Sequence, residues 1–221
     1  MSVVTAAEFK VLLQGSEIIQ DIEVIEPVVI QAGDVVNSSI NLRRCDIARL
    51  TMRDQTNITY FGISMTRLGT FSLIDCTVDQ LGIGGDPSSF DEIKLIRVDM
   101  SKLNISTIST SNTLTIKRSV IDEIKIDEAA IRNTTIHTRA NSGCDLSTRS
   151  LFQNEFKISG SYERILLTQG KIYSLTFEKV RSEQISIMEE DIALFAGNIR
   201  FNTDSLNLNT VKIGLPYVTP F

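Results

Sequence analysis

The side chains best equipped for chemistry in this chain are its carboxylates. They cluster as Asp122-Glu123, Asp127-Glu128 and Glu189-Glu190-Asp191. A carboxylate pair is the minimum equipment for cleaving a glycosidic bond, one group acting as acid and the other as base or nucleophile. Asp122 and Asp127 are five residues apart, with Lys117, Arg118 and Lys125 close by. Charges mixed in this way describe a solvated face better than a cleft. Other routes to catalysis need a nucleophile beside a base, or a metal with convergent ligands. The single histidine, His137, directly follows Ile136 and is expected to point outward with it pointing in. No Gly-x-Ser-x-Gly occurs, and Gly82-Ile83-Gly84-Gly85 lacks the Lys-Ser/Thr that completes a phosphate loop. Cys45, Cys76 and Cys144 are odd in number and widely spaced, which reads as reduced buried thiols and not as a disulfide or zinc framework. The expectation is a protein without catalytic, cofactor-binding or metal-binding residues, and therefore not an enzyme.

Charge narrows the partners. Against 22 basic residues stand 27 acidic ones, a formal charge of −5, with no basic stripe interleaved with aromatics. Direct nucleic-acid binding is not expected. Residues 1–11 lack a charged segment followed by an apolar core, so they do not read as a secretory signal. No uninterrupted apolar run approaches the roughly 18 residues that cross a bilayer. The chain is expected to avoid membranes and to reside in the cytoplasm or within an assembled particle.

The element that must position every outward side chain is a repeat of five. Ile58, Ile63, Leu68, Leu73, Val78, Ile83, Ser88, Ile93, Val98, Leu103 and Ile108 follow one another at that interval, and all but Ser88 are apolar. Helices repeat near 3.6 and strands at 2, so five signals a coil that turns a corner in each segment. The interval starts at Leu42, Ile47 and Met52, and a loop at 84–89 reads as an insertion that leaves the phase intact. It resumes at Ile116, Ile121, Ile126, Ile131 and Ile136, then at Leu146, Leu151 and Phe156, with a second loop at 141–143. Before it, Thr5-Ala6-Ala7-Glu8 has the form of a capping box, with Phe9, Leu12 and Leu13 on one face. A helix over 6–14, ended by Gly15, would cover the open end of the coils. After it, two-residue alternations such as Ile185/Ile187 and Ile199/Phe201 read as strands. The expected organisation is one continuous domain, with a helical cap at 1–17, coils at 18–185 and a β-rich section and tail at 186–221. Within the apolar tail, Leu215, Tyr217, Val218 and Phe221 are candidate contacts for a partner.

The segments Ile40-Asn41-Leu42-Arg43-Arg44 and Cys45-Asp46-Ile47-Ala48-Arg49 resemble pentapeptide-repeat proteins. The unit there is a small residue, Asp or Asn, a Leu or Phe, and two variable positions. Cys45, Cys76 and Cys144 each precede an apolar residue by two, the small inward position of that unit. Phe61, Phe71, Leu81, Ile96, Leu114 and Ile124 fill the same position with bulk, which points to longer faces than the family's square section. The resemblance implies an all-β fold, a right-handed parallel β-helix. It also implies one possible function, mimicry of DNA in binding a topoisomerase. Three readings follow: a structural or protein-binding solenoid in a larger assembly, engaging other chains or itself; a topoisomerase-binding DNA mimic; and a β-helix enzyme acting on carbohydrate. The first is favoured, because the residues supply a scaffold more plainly than a reaction.

Overall fold

The computed structural model describes residues 1–34, 36–139, 143–194, 199–202, 207–208 and 211–213. The chain is a parallel β-solenoid of about eight turns with one short helix. In chain order the elements are β1 (Ser2–Val3), α1 (Ala6–Gly15), β2 (Ile18–Gln20), β3 (Ile22–Val24), β4 (Val28–Ile30), β5 (Ser39–Arg43), β6 (Asp46–Arg53) and β7 (Ile58–Ser64). They continue as β8 (Arg67–Ile74), β9 (Val78–Gly84), β10 (Ser89–Ile96), β11 (Asp99–Thr138), β12 (Cys144–Leu194), β13 (Ile199–Asn202), β14 (Asn207–Leu208) and β15 (Val211–Ile213). One side stacks β3, β6, β8 and β10, and the other stacks β2, β5, β7 and β9, with β11 joining both. Asp46 lies on Arg67 and Arg67 on Ser89, so a coil takes 21 or 22 residues there. β13, β14 and β15 lie parallel on β12, extending the stack beyond residue 185.

The five-residue interval is a strand alternation interrupted at each corner. Buried residues follow at steps of two and three: Cys45, Ile47, Leu50, Met52, Gln55, then Phe61, Ile63, Thr66, Leu68, Phe71, Leu73, Cys76 and Val78. Ile47 and Leu50 point inward while Ala48 and Arg49 between them are exposed. Each segment therefore buries two side chains, a leading one and a second one two residues on. The bulky leading residues Phe61 and Phe71 meet across the core with ring centroids 5.5 Å apart. That contact fills a section wider than small residues could.

Two inward positions per segment conceal a change of phase. Ile93 lies on Phe71 and Leu95 on Leu73, so beyond the 84–89 loop the every-fifth residues occupy the leading position, not the second. The loop does shift the phase, contrary to the sequence expectation, and the count survives because both positions are apolar. Ile96, expected inside, sits on the outer surface over Ile74. Leu146 lies on Ile124 and Phe156 on Thr134, so these too are leading residues. Cys144 is buried, but Leu146 is therefore not the second residue of its unit.

Coil closure depends on left-handed corners. Asp21, Arg44, Met65, Gly85, Thr107 and Glu128 have positive φ on one edge, and Gly33, Asp54, Asp75, Arg97 and Arg118 on the other. The corner N–H then reaches the next coil: Arg44 donates to the Ser64 carbonyl, Asp54 to Ile74, Asp75 to Ile96 and Arg97 to Lys117. The residue after the corner turns inward and ties it down. Thr66 Oγ1 accepts from the Cys45 N–H at 3.3 Å and donates to the Ser64 carbonyl at 2.8 Å. Ser119 Oγ accepts from the Val98 N–H and donates to Lys117. Gln55 Nε2 donates to the carbonyls of Gln31 and Arg53.

The capping box forms as the sequence indicates, with the Glu8 N–H donating to Thr5 Oγ1 and the Thr5 N–H to Glu8 Oε2. The helix runs through Gly15, one residue further than expected, and is capped by Ser16 in an extended conformation. The left-handed freedom of Gly15 is thus unused. Phe9 and Leu13 are buried against the first coil, and the Leu13 carbonyl accepts from the Asn37 N–H. β1, too short to show in the pattern, pairs with β3 ahead of the helix.

Replacing Thr66 by Val keeps its shape while removing both hydrogen bonds, leaving the buried Cys45 N–H without its acceptor. The expected loss is about 1–3 kcal/mol in urea unfolding, with Thr66→Ser near wild type. Equal stability of Val and Ser variants would show that the tie contributes nothing.

Candidate functional site

The paired carboxylates of the sequence do not converge. Glu123 pairs with Lys102 at 2.9 Å, Asp127 is held by Arg149 through two hydrogen bonds of 2.8 and 2.9 Å, and Glu128 is 3.7 Å from the same arginine. Asp122, in no ion pair among the described residues, lines a larger concavity, whereas Asp127 lines a smaller one together with its partner Arg149. The side chains of Glu189, Glu190 and Asp191, and the tail residues Leu215, Tyr217, Val218 and Phe221, lie outside the described residues.

Ladders between coils account for much of the remaining acid. Arg44 clasps Asp21 at 2.7 and 2.6 Å, Arg97 clasps Asp75, and Arg164 meets Asp145 at 2.7 Å. In the first two pairs both partners are corner residues, stacked one coil apart. The guanidinium of Arg44 holds the Asp21 carboxyl below the ordinary range, and Arg97 does the same for Asp75.

The concavity is a groove of about 580 Å³ on the strip formed by β7, β9 and β11. Asp79, Asp99 and Asp122 line it together with Thr56, Asn57, Thr77 and Ser101, and no lysine or arginine does. Among the described residues none of the three aspartates takes part in an ion pair. The parallel bridge of Thr77 to Asp99 brings these groups side by side from successive coils. Sequence neighbours gave no hint of it; only the coil length of about 22 residues, applied to the outward positions, links Asp79 to Asp99 and Asp122. The arrangement can attract cations or accept hydrogen bonds from hydroxyl groups. Among the described residues no three His, Cys, Asp or Glu side chains are placed to hold a metal ion.

His137 is exposed, as expected, with Nδ1 2.8 Å from Ser159 Oγ on the next coil. The hydroxyl also approaches the Ile136 carbonyl at 3.4 Å, so the pair serves as a tie between coils. The three cysteines are free and buried. Burial raises the pKa of Cys45 and Cys76 and pushes Cys144 up to about 12. Cys45 Sγ and Cys76 Sγ donate to the carbonyls of Arg43 and Ile74 at 3.3 Å, the same corner tie that Thr66 makes. Among the described residues no helix is long and apolar enough to cross a membrane.

No protein-family model, no curated protein and no solved structure matches the chain.

Two measurements check this account. The folded pKa of Asp75 lies below its unfolded value, so its stabilisation is present above about pH 4 and is lost as pH falls through the lower, folded value. The melting temperature of Asp75→Asn should fall less than that of wild type below about pH 4, the difference being small for an exposed pair. A parallel acid profile for the two proteins would remove the pair as a source of acid sensitivity. In the native chain all three thiols should resist a disulfide reagent at pH 8 and react only after unfolding; rapid native labelling of Cys144 would contradict its burial.

Proposed function

We propose that the chain is a non-enzymatic structural or protein-binding solenoid, a component of a larger assembly that engages other protein chains. One observation supports this most directly. Of the six large apolar side chains that are exposed among the described residues, Met1, Val3, Val11, Ile18 and Ile25 are 61–73 % exposed and all lie in the cap and first coil. Exposed aliphatic side chains gathered at one end of a stack suit a contact between chains. The tail residues Leu215, Tyr217, Val218 and Phe221 are proposed as a second contact. The pentapeptide-repeat likeness is supported by the two-and-three spacing of buried residues, while coils of 21 or 22 residues exceed four units of five.

The carbohydrate-active reading draws support from the groove, where Asp79, Asp99 and Asp122 face solvent without basic neighbours lining it. DNA mimicry draws less, because Asp21, Asp75, Asp127 and Asp145 are each matched by an arginine one coil away.

Light scattering of the full chain should show association that grows with concentration and is lost in Val11→Lys/Ile18→Lys/Ile25→Lys. Truncation before Leu215 tests the tail in the same assay. A chain that stays monomeric at every concentration, in wild-type and altered forms alike, would remove self-assembly from the proposal.

A further inference from the structure

Adjoining the groove, the face built by β5, β7, β9 and β11 is short of side chains. Asn41, Gly62, Gly82 and Asn104 stack in register, beside the row Arg43, Ser64, Gly84 and Ser106. Ser39, Tyr60, Gln80 and Lys102 form the row on the other side. Gly62 and Gly82, on two adjacent coils, leave a shallow bed two strands wide, roughly 10 Å along the axis, since parallel strands stack roughly 4.8 Å apart.

Tyr60 lies down on this bed. A Cβ added at Gly62 would stand 2.8 Å from the ring's Cε1, and one at Gly82 would stand 3.2 Å from its hydroxyl. Tyr60 is nevertheless 37 % exposed, the one large hydrophobic so exposed beyond the first coil among the described residues. One side of the ring therefore rests on glycine backbone while the other meets solvent. Shielding the glycine backbone gives the ring a structural reason to lie flat. It does not account for the chemistry around it, an aromatic plane bordered by the amides of Asn41 and Gln80 and the hydroxyl of Ser64.

We propose that this face is a carbohydrate-binding platform, on which Tyr60 stacks against the C–H side of a pyranose ring in a neutral glycan. The aromatic plane takes the apolar side of a sugar, and the amides and hydroxyls take its hydroxyl groups. Neutrality follows from the neighbouring groove, whose Asp79, Asp99 and Asp122 repel acidic sugars. Lys102 is occupied by Glu123, and Arg43, at the far edge of the face, is outnumbered by the three aspartates. The platform is independent of the protein contact proposed above.

Affinity electrophoresis tests it, with the full chain run through gels containing soluble β-glucan, galactomannan or, as the acidic control, polygalacturonate. At least one neutral polymer should retard the wild type and polygalacturonate should not. Tyr60→Phe should keep the retardation, Tyr60→Ala should weaken binding about tenfold or more, and Gln80→Ala should weaken it while leaving the circular dichroism spectrum and melting curve unchanged. The Gln80 variant keeps the test decisive if Tyr60→Ala unfolds. Absence of retardation by both neutral polymers, retardation by polygalacturonate alone, or undiminished binding by a folded Tyr60→Ala protein would overturn the platform.

Discussion

Everything in this molecule depends on residues being held in the left-handed region at two edges of the stack. A non-glycine residue placed there costs roughly 1–2 kcal/mol, and Asp21, Arg44, Asp54, Met65, Asp75, Arg97, Thr107, Arg118 and Glu128 all bear it. Without that reversal a strand would run straight, and no coil would close. The cost is offset by what the reversal makes possible. The N–H groups of Asp21, Arg44, Asp54, Met65, Asp75 and Arg97 point along the axis to carbonyls of the next coil, and the side chain after each corner is thrown inward. Where that side chain is Cys, Ser, Thr or Gln, it binds the carbonyl before its own corner, and several also reach a neighbouring coil. The polar groups buried at the corners are thus part of closure, as buried polar groups must be to persist.

This explains what the sequence could and could not disclose. The coil was legible because steps of two and three sum to five, a period that neither helix nor strand shares. The capping box at Thr5 and Glu8 was legible because its two hydrogen bonds are local. The phase was not, since leading and second positions both accept large apolar residues; Ile93 and Leu95 satisfy either assignment. The corners were hidden more deeply. Asp21, Asp54 and Asp75 belong to a type that tolerates the left-handed region, but Arg, Met, Thr and Glu carry no such mark, and closure of the coil puts them there.

The outward residues were least legible for a related reason. Their neighbours are about 22 positions away, and the offset varies from 20 for Gly62 and Gly82 to 26 for Ile185 and Val211. An eye scanning adjacent letters sees Asp122-Glu123 as a pair, whereas the fold gives Glu123 to Lys102 and turns Asp122 toward Asp79 and Asp99. Nothing in the sequence marks Gly62 and Gly82 as neighbours; in the fold they are the floor beneath Tyr60.

A solenoid of this kind spends its charged residues unevenly. Clasped Arg–Asp pairs sit at the corners, where a fixed geometry lets a guanidinium meet a carboxylate with two hydrogen bonds. The side formed by β6, β8 and β10 adds the pairs of Arg67 with Asp46 and Lys94 with Glu92. On the opposite side β7, β9 and the start of β11 carry three aspartates outside any ion pair among the described residues, together with the exposed ring of Tyr60. Side chains bound to one another across coils stabilise the stack and have little left to offer a ligand. On the β7–β9–β11 side Lys102 is tied to Glu123 in this way, but Asp79, Asp99 and Asp122 take part in no ion pair among the described residues, and the groove and the glycine bed meet there along one edge. A reason for recognition must therefore be sought on that side of the coil, where stacking asks nothing of the outward residues beyond room.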